Sequence, residues 1–162
     1  MNKTITAAIL GFTLVLAGCG ASGTADELVD YVNEDLQAFA QLEEEFGTMI
    51  NNFGTSMNSA TEDEIIQALN EEALPALEEK REFVQSIELE YEDVQQLNAL
   101  LIDAVEHKYD AMQIEIEGLE QGDQDLLTES GELLEASDNL KLEFNAMLED
   151  VADQHNVELG DE

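Results

Sequence analysis

The residues able to do chemistry are few. A single cysteine, Cys19, stands directly after Leu16, Ala17 and Gly18 at the end of an uncharged apolar run, and two histidines, His107 and His155, lie far downstream. Asp103, His107 and Asp110 follow one another at spacings of four and three. On a helix that spacing puts all three on one face, a candidate site for one divalent metal ion. Three ligands from a single helix leave such a site open and weak. A surface histidine among solvated carboxylates is the competing expectation. The di-iron bundle pattern needs Glu-x-x-His on two helices, but the residues three before His107 and His155 are Ala104 and Ala152. Asp123-Gln124-Asp125 begins like a calcium loop and lacks the Asp/Asn-Gly that should follow. No G-x-S-x-G, no phosphate loop of the form G-x-x-x-x-G-K-[ST] and no H-E-x-x-H occurs. The chain is therefore expected not to be an enzyme and to hold no cofactor beyond weak Ca2+ or Mg2+ along its carboxylate-rich faces.

What positions Cys19 is the segment before it. Met1-Asn2-Lys3-Thr4 carries one positive charge, and Ile5 to Ala17 carries none. A basic start, a short apolar run and small residues before the cysteine are the marks of a cleaved signal peptide, whereas a membrane-spanning helix needs about 20 apolar residues. Leu16-Ala17-Gly18-Cys19 resembles the lipobox of bacterial lipoproteins. The resemblance implies that Cys19 receives a diacylglyceryl group on its sulfur. It implies too that Leu16, Ala17 and Gly18 form the recognition site, and that cleavage makes Cys19 the first mature residue. Residues 1–18 are then the signal peptide, and 19–23 the lipidated cysteine with a short linker. Two acyl chains anchor stably where one does not, because each buried methylene contributes about 0.8 kcal/mol. The expected location is the extracytoplasmic face of the cell membrane, and an acylated Cys19 leaves no disulfide to staple the fold.

A chain cut before Cys19 has 144 residues, four bases (Lys80, Arg81, Lys108, Lys141) and all 39 acids, for a formal charge of −35. Such a charge argues against nucleic acid and anionic lipid surfaces as direct partners. The acids are spread along the chain, which fits a solvated surface suited to high salt or alkaline pH better than one dedicated cation loop.

Apolar residues then set the architecture. Val29, Val32, Leu36, Phe39, Phe46, Ile50 and Phe53 recur at steps of three and four, interrupted by Glu43. Thr24 with Glu27 reads as a capping box before this helix, and Gly54 as its end. Thr61 with Glu64 opens a second helix, which Pro75 should kink near Glu72–Leu74. Residues 88–92 read as a turn without glycine or proline. A third helix follows from Val94 to Leu119, Gly122 and Asp123 punctuate it, and a fourth runs from Leu126 to Val151. Fraying is expected at His155-Asn156, with Val157 and Leu159 placed to dock. No strand is expected. Four helices of about 25 to 33 residues suit an up-down-up-down antiparallel four-helix bundle over residues 24–157, with the second helix kinked at Pro75, preceded by the cleaved signal and followed by a loose acidic tail, 158–162.

Pro75 in helix two, Tyr109 in helix three, Asp123 at the fourth N-cap and the final His155-Asn156-Val157 are also similar to small helical lipoproteins of Bacilli, some of them described as cell-wall-binding. The expectation is a monomeric, non-enzymatic interaction or structural module of the cell envelope. Its partners are the membrane, through the lipid, and an envelope protein of unknown identity. The alternative is a low-affinity divalent-cation-binding or transporter-accessory lipoprotein.

Overall fold

The computed structural model describes residues 16–17, 23–56 and 60–160. Cys19 and Gly18, the centre of the lipidation motif, lie outside the described residues. The described chain is all-α with four long helices. Helix α1 runs without a break through Gly23–Asp30, a π-helical turn Tyr31–Asp35, and Leu36–Ser56. Helix α2 runs through Glu62–Ala68, a second π-turn Leu69–Ala73, and Leu74–Ser86. Helices α3 (Glu92–Gln121) and α4 (Gln124–His155) are uninterrupted. Among the described residues no helix is long and apolar enough to cross a membrane.

Local chemistry sets most boundaries. Thr61 and Glu64 form a full capping box at the start of α2. Gly122, at φ 64°, closes α3 in the left-handed conformation that glycine adopts without cost. The Asp123 carboxylate then accepts from the Asp125 and Leu126 amides to start α4. Pro75 does not end α2. The π-turn just before it, closed by a bond from the Leu74 amide to the Leu69 carbonyl, widens the helix where the proline ring would otherwise meet the preceding turn.

Three features differ from the sequence expectation. Helix α1 starts at Gly23 and continues through Ser56, two residues past Gly54, so this glycine does not terminate it. The Glu27 carboxylate does not turn back to Thr24; it accepts the Glu90 and Tyr91 amides at 2.6 and 2.9 Å. A two-residue antiparallel ladder also exists where no strand was expected, pairing Leu16–Ala17 with Val157–Glu158. Asn156, in the left-handed conformation, ends α4 and turns the chain so that Val157 enters the core.

Two apolar cores result. The first draws on all four helices: Leu28, Tyr31 and Val32 from α1, Val84 from α2, Val94 and Leu97 from α3, Phe144 and Leu148 from α4. The second joins Phe46 of α1, Leu69, Ala73 and Leu77 of α2, and Met112 and Ile116 of α3. Helices α3 and α4 pack closely along their length. Small buried residues permit this: Ala104, Ala111 and Gly118 recur every seven residues on α3, and Ser130 and Ser137 seven apart on α4. The Ser137 hydroxyl donates to the Ala104 carbonyl at 2.7 Å.

The α2–α3 connection, residues 87–91, carries no turn-forming residue and is held from outside. Glu27 binds its amides, Gln95 donates to the Leu89 carbonyl at 2.8 Å, and Asn98 donates to the Val84 carbonyl at 3.1 Å. Val84 lies in the last turn of α2, whose carbonyls have no partner along the helix, so buried Asn98 supplies one. Tyr31, on the α1 π-turn, donates its hydroxyl to Asn98 Oδ1 at 3.3 Å, and burial raises its phenol well above the usual range.

Candidate functional site

Between the two cores lies a cluster of ions, and all four helices contribute to it. Glu43 of α1 sits on the apolar stripe between Phe39 and Phe46. Lys80 of α2 occupies a stripe position between Leu77 and Val84, and its side chain is 1% exposed. Its ammonium forms an ion pair with Glu43 Oε1. Lys108 of α3 approaches Glu43 Oε2 at 3.6 Å. Lys141 of α4, paired with Asp138 at 3.9 Å, adds its field to the same carboxylate. The ammonium groups of Lys80 and Lys108 both lie over the Phe46 ring, 4.3 and 4.7 Å from its centroid.

The electrostatics follow from one carboxylate facing three ammonium groups. Burial alone would push the Glu43 carboxyl up, but Lys108, Lys80 and Lys141 overcome it and hold it down at about 2. Lys80 moves the other way from a surface ion pair. Burial and the neighbouring Lys108 bring it down to about 8, and Glu43 only partly opposes them. Lys108 is lowered for the same reason, burial first. The two directions have different causes: the neighbouring ammonium groups hold Glu43 down, and burial brings Lys80 and Lys108 down. Arg81, next in sequence, stacks on Tyr109 at 4.2 Å and pairs with Glu78 at 2.7 Å. The few bases are thus drawn into the interior and flanks.

This arrangement binds helices to one another. A lysine that is 1% exposed meets no substrate, and its proton affinity is set by packing. Sequence patterning showed Glu43 only as a break in a stripe. The available signal was complementary: α1 has an acid at a core position, while α2 and α3 have lysines at theirs, Lys80 beside Leu77 and Val84, Lys108 between Val105 and Met112.

The candidate metal trio Asp103, His107 and Asp110 lies on α3. His107 Nδ1 donates to the Asp103 backbone carbonyl at 2.8 Å. Asp103 and Asp110 are exposed on the same helix. Among the described residues no group of three or more His, Cys, Asp or Glu is arranged to hold a metal ion. His155, the other histidine, pairs with Asp93 at 2.8 Å and ties the end of α4 to the start of α3. Of the lipidation motif, Leu16 and Ala17 form one strand of the ladder.

A shallow groove of about 570 Å³ lies on α1 at the side of α2, lined by Glu44, Glu45, Thr48 and Met49 together with Glu72 of the second π-turn. It holds carboxylates and no base. No protein-family model matches the chain, and neither a curated protein nor a solved structure matches it.

Proposed function

We propose that the chain is a lipid-anchored extracytoplasmic protein whose four helices form an up-down-up-down antiparallel bundle, and that it acts without catalysis as an interaction or structural module of the cell envelope. The observation that carries this reading is Leu16-Ala17-Gly18-Cys19 at the end of the short apolar run Ile5 to Ala17. The sharing of residues between the cores supports the topology: the start of α1, the end of α2, the start of α3 and the end of α4 meet in the first core. The engagement of Lys80, Lys108 and Glu43 with one another supports a structural role for the groups that chemistry would otherwise use. Cleavage before Cys19 would remove Leu16–Ala17 and leave Val157–Glu158 without its ladder partner, at the cost of only two paired residues.

The test is Cys19→Ser with fractionation of cells and mass measurement of the N-terminus. The expected result is loss of the acylated species and release from membranes, with helicity unchanged. A variant that stays membrane-bound overturns the anchor.

The second reading is a low-affinity divalent-cation-binding or transporter-accessory lipoprotein. The groove lined by Glu44, Glu45 and Glu72 is the observation that favours it. Calorimetry with calcium, magnesium and zinc separates the two: saturable binding tighter than millimolar supports the second and counts against the first.

A further inference from the structure

We propose that the ammonium groups of Lys108 and Lys141 hold one small monovalent anion, of the class of chloride, at the more exposed side of the ion cluster. Such a site goes beyond the reading of the chain as an interaction module and is independent of the lipid anchor.

The charges in the cluster do not cancel. Lys80, Lys108 and Lys141 bring three positive charges together, and the carboxylates paired with them are Glu43 and Asp138. One cation is left over. The pairing is also uneven. Lys80, the most buried of the three, holds Glu43 Oε1 closely. Lys108 has Glu43 Oε2 only at 3.6 Å, and Lys141 has Asp138 only at 3.9 Å. Both separations are longer than a hydrogen bond, and among the described residues neither ammonium makes one. Asp138 is 77% exposed, so water screens most of its field. Lys108 is only 19% exposed. Burial lowers it first, and Lys141 works in the same direction while Glu43 opposes. Burial and then Lys108 lower Lys80 in turn. Repulsion among the ammonium groups is thus built into the place where the helices meet.

Charge and surroundings select the ligand. A largely buried ammonium needs acceptors for its three N–H donors. Water supplies acceptors but leaves the surplus charge in place, whereas an anion supplies both an acceptor and a counter-charge. One negative charge closes the count. A dianion such as sulfate would overshoot it and stand against Glu43. The Phe46 ring beneath Lys80 and Lys108, and an apolar core on either side, confine the site to a bare ion in preference to an organic acid. The chain's formal charge of −34 repels every anion at a distance. Molar salt shortens that repulsion to about 3 Å and screens direct contact between ion and partly buried ammonium much less. The site should therefore fill in the saline medium that the acidic surface suits.

The experiment uses the full chain in a non-ionic detergent, with detergent alone as the background. Sodium chloride is exchanged for sodium gluconate at fixed ionic strength, so that sodium and screening stay constant. The chlorine NMR linewidth reports bound chloride directly. The expected result is excess broadening that saturates at one site per chain, with a melting temperature that rises with the chloride fraction. Lys108→Met keeps the bulk of the side chain and leaves two cations to two carboxylates. It should bind chloride at least tenfold more weakly while melting in gluconate at or above the wild-type temperature. Lys141→Gln, a change at a partly exposed position that should leave the fold intact, should also weaken binding, and it decides the matter if Lys108→Met does not fold. A wild type that broadens the chloride line no more than the lysine variants overturns the proposal, whether none of them binds or all bind equally at some other place. A melting temperature indifferent to the chloride fraction also overturns it. So does sulfate displacing chloride more strongly than bromide does, because the site would then prefer a dianion. None of these outcomes bears on Cys19→Ser, which tests the anchor separately.

Discussion

In the first core the buried polar groups are neutral, and they serve a helix end. Asn98 finishes the end of α2 through the Val84 carbonyl, and Tyr31 orients Asn98. In the adjoining region, where α1 and α2 meet α3 around Phe46, the buried polar groups are ions, and they bond mainly to one another: Glu43, Lys80 and Lys108. The difference teaches how the two regions should fail. A neutral network is lost piecemeal, at the scale of single hydrogen bonds. An ion cluster is sensitive to which member is removed, because an orphaned buried charge costs more than the pair contributes.

The largest expected effect therefore comes from the one anion. Glu43→Gln leaves Lys80 and Lys108 facing each other without a counter-charge and should destabilise the protein by about 3–5 kcal/mol in denaturant unfolding at neutral pH. Lys80→Met keeps the volume and leaves Glu43 to Lys108, so it should fall within about 1 kcal/mol of wild type. Equal losses from the two variants would show that the cluster acts as a simple pair. The pH dependence has a definite sign for each member. Glu43 is lowered from 4.5 to about 2, so its contribution is complete above pH 4.5 and is lost as pH falls from there toward 2. Lys80 is lowered from 10.5 to about 8, so between these values the unfolded chain binds the extra proton and stability should rise with pH. Melting curves between pH 8 and 10.5 should show that rise in wild type and a smaller one in Lys80→Met, where Lys108, also lowered by burial, still contributes.

Next in size are the apolar cores. Leu97 in the first and Leu77 in the second are both fully buried, and each change to alanine should cost about 2–5 kcal/mol by transfer and cavity terms. The comparison predicts that the two differ in reach. Leu77→Ala lies one turn from Lys80 and should lower the alkaline gain as well as the midpoint, while Leu97→Ala should lower the midpoint alone. A smaller loss, about 1–3 kcal/mol, is expected for Asn98→Ala, which strands the Val84 carbonyl and the Tyr31 hydroxyl. Hydrogen exchange should then show the 87–91 connection opening before the rest of the first core.

These contrasts also show what was readable in the residues alone. The four helices follow from apolar stripes and from caps such as Thr61, Gly122 and Asp123, because those signals are local. Glu27 was misassigned because its partners are 63 and 64 residues away, a distance at which spacing carries no information. Gly54 failed as a stop because a helix already committed by its stripe crosses one glycine at a cost of about 1 kcal/mol. The ion cluster was hidden for a related reason. Charge at a core position is recognisable on each helix, but its partners become visible only once the helices are set side by side.

The finest distinction between the two regions concerns glycine. Gly118 lies in the close α3–α4 seam, and an added methyl group there would stand 2.9 Å from Leu127 Cδ2 and 3.2 Å from Leu126 Cβ. Gly131, on the same helix pair, and Gly47, on the more widely spaced α1, have open space around the same position. Alanine gains about 1 kcal/mol over glycine inside a helix. Gly47→Ala and Gly131→Ala should therefore stabilise by up to about 1 kcal/mol. In Gly118→Ala the Leu127 side chain must swing away and the Leu126 backbone-proximal carbon cannot, so the gain should be cancelled or reversed by about the same amount. Differential melts of the three variants decide it. Should Gly118→Ala stabilise as much as Gly47→Ala, the α3–α4 seam is looser than its small residues imply.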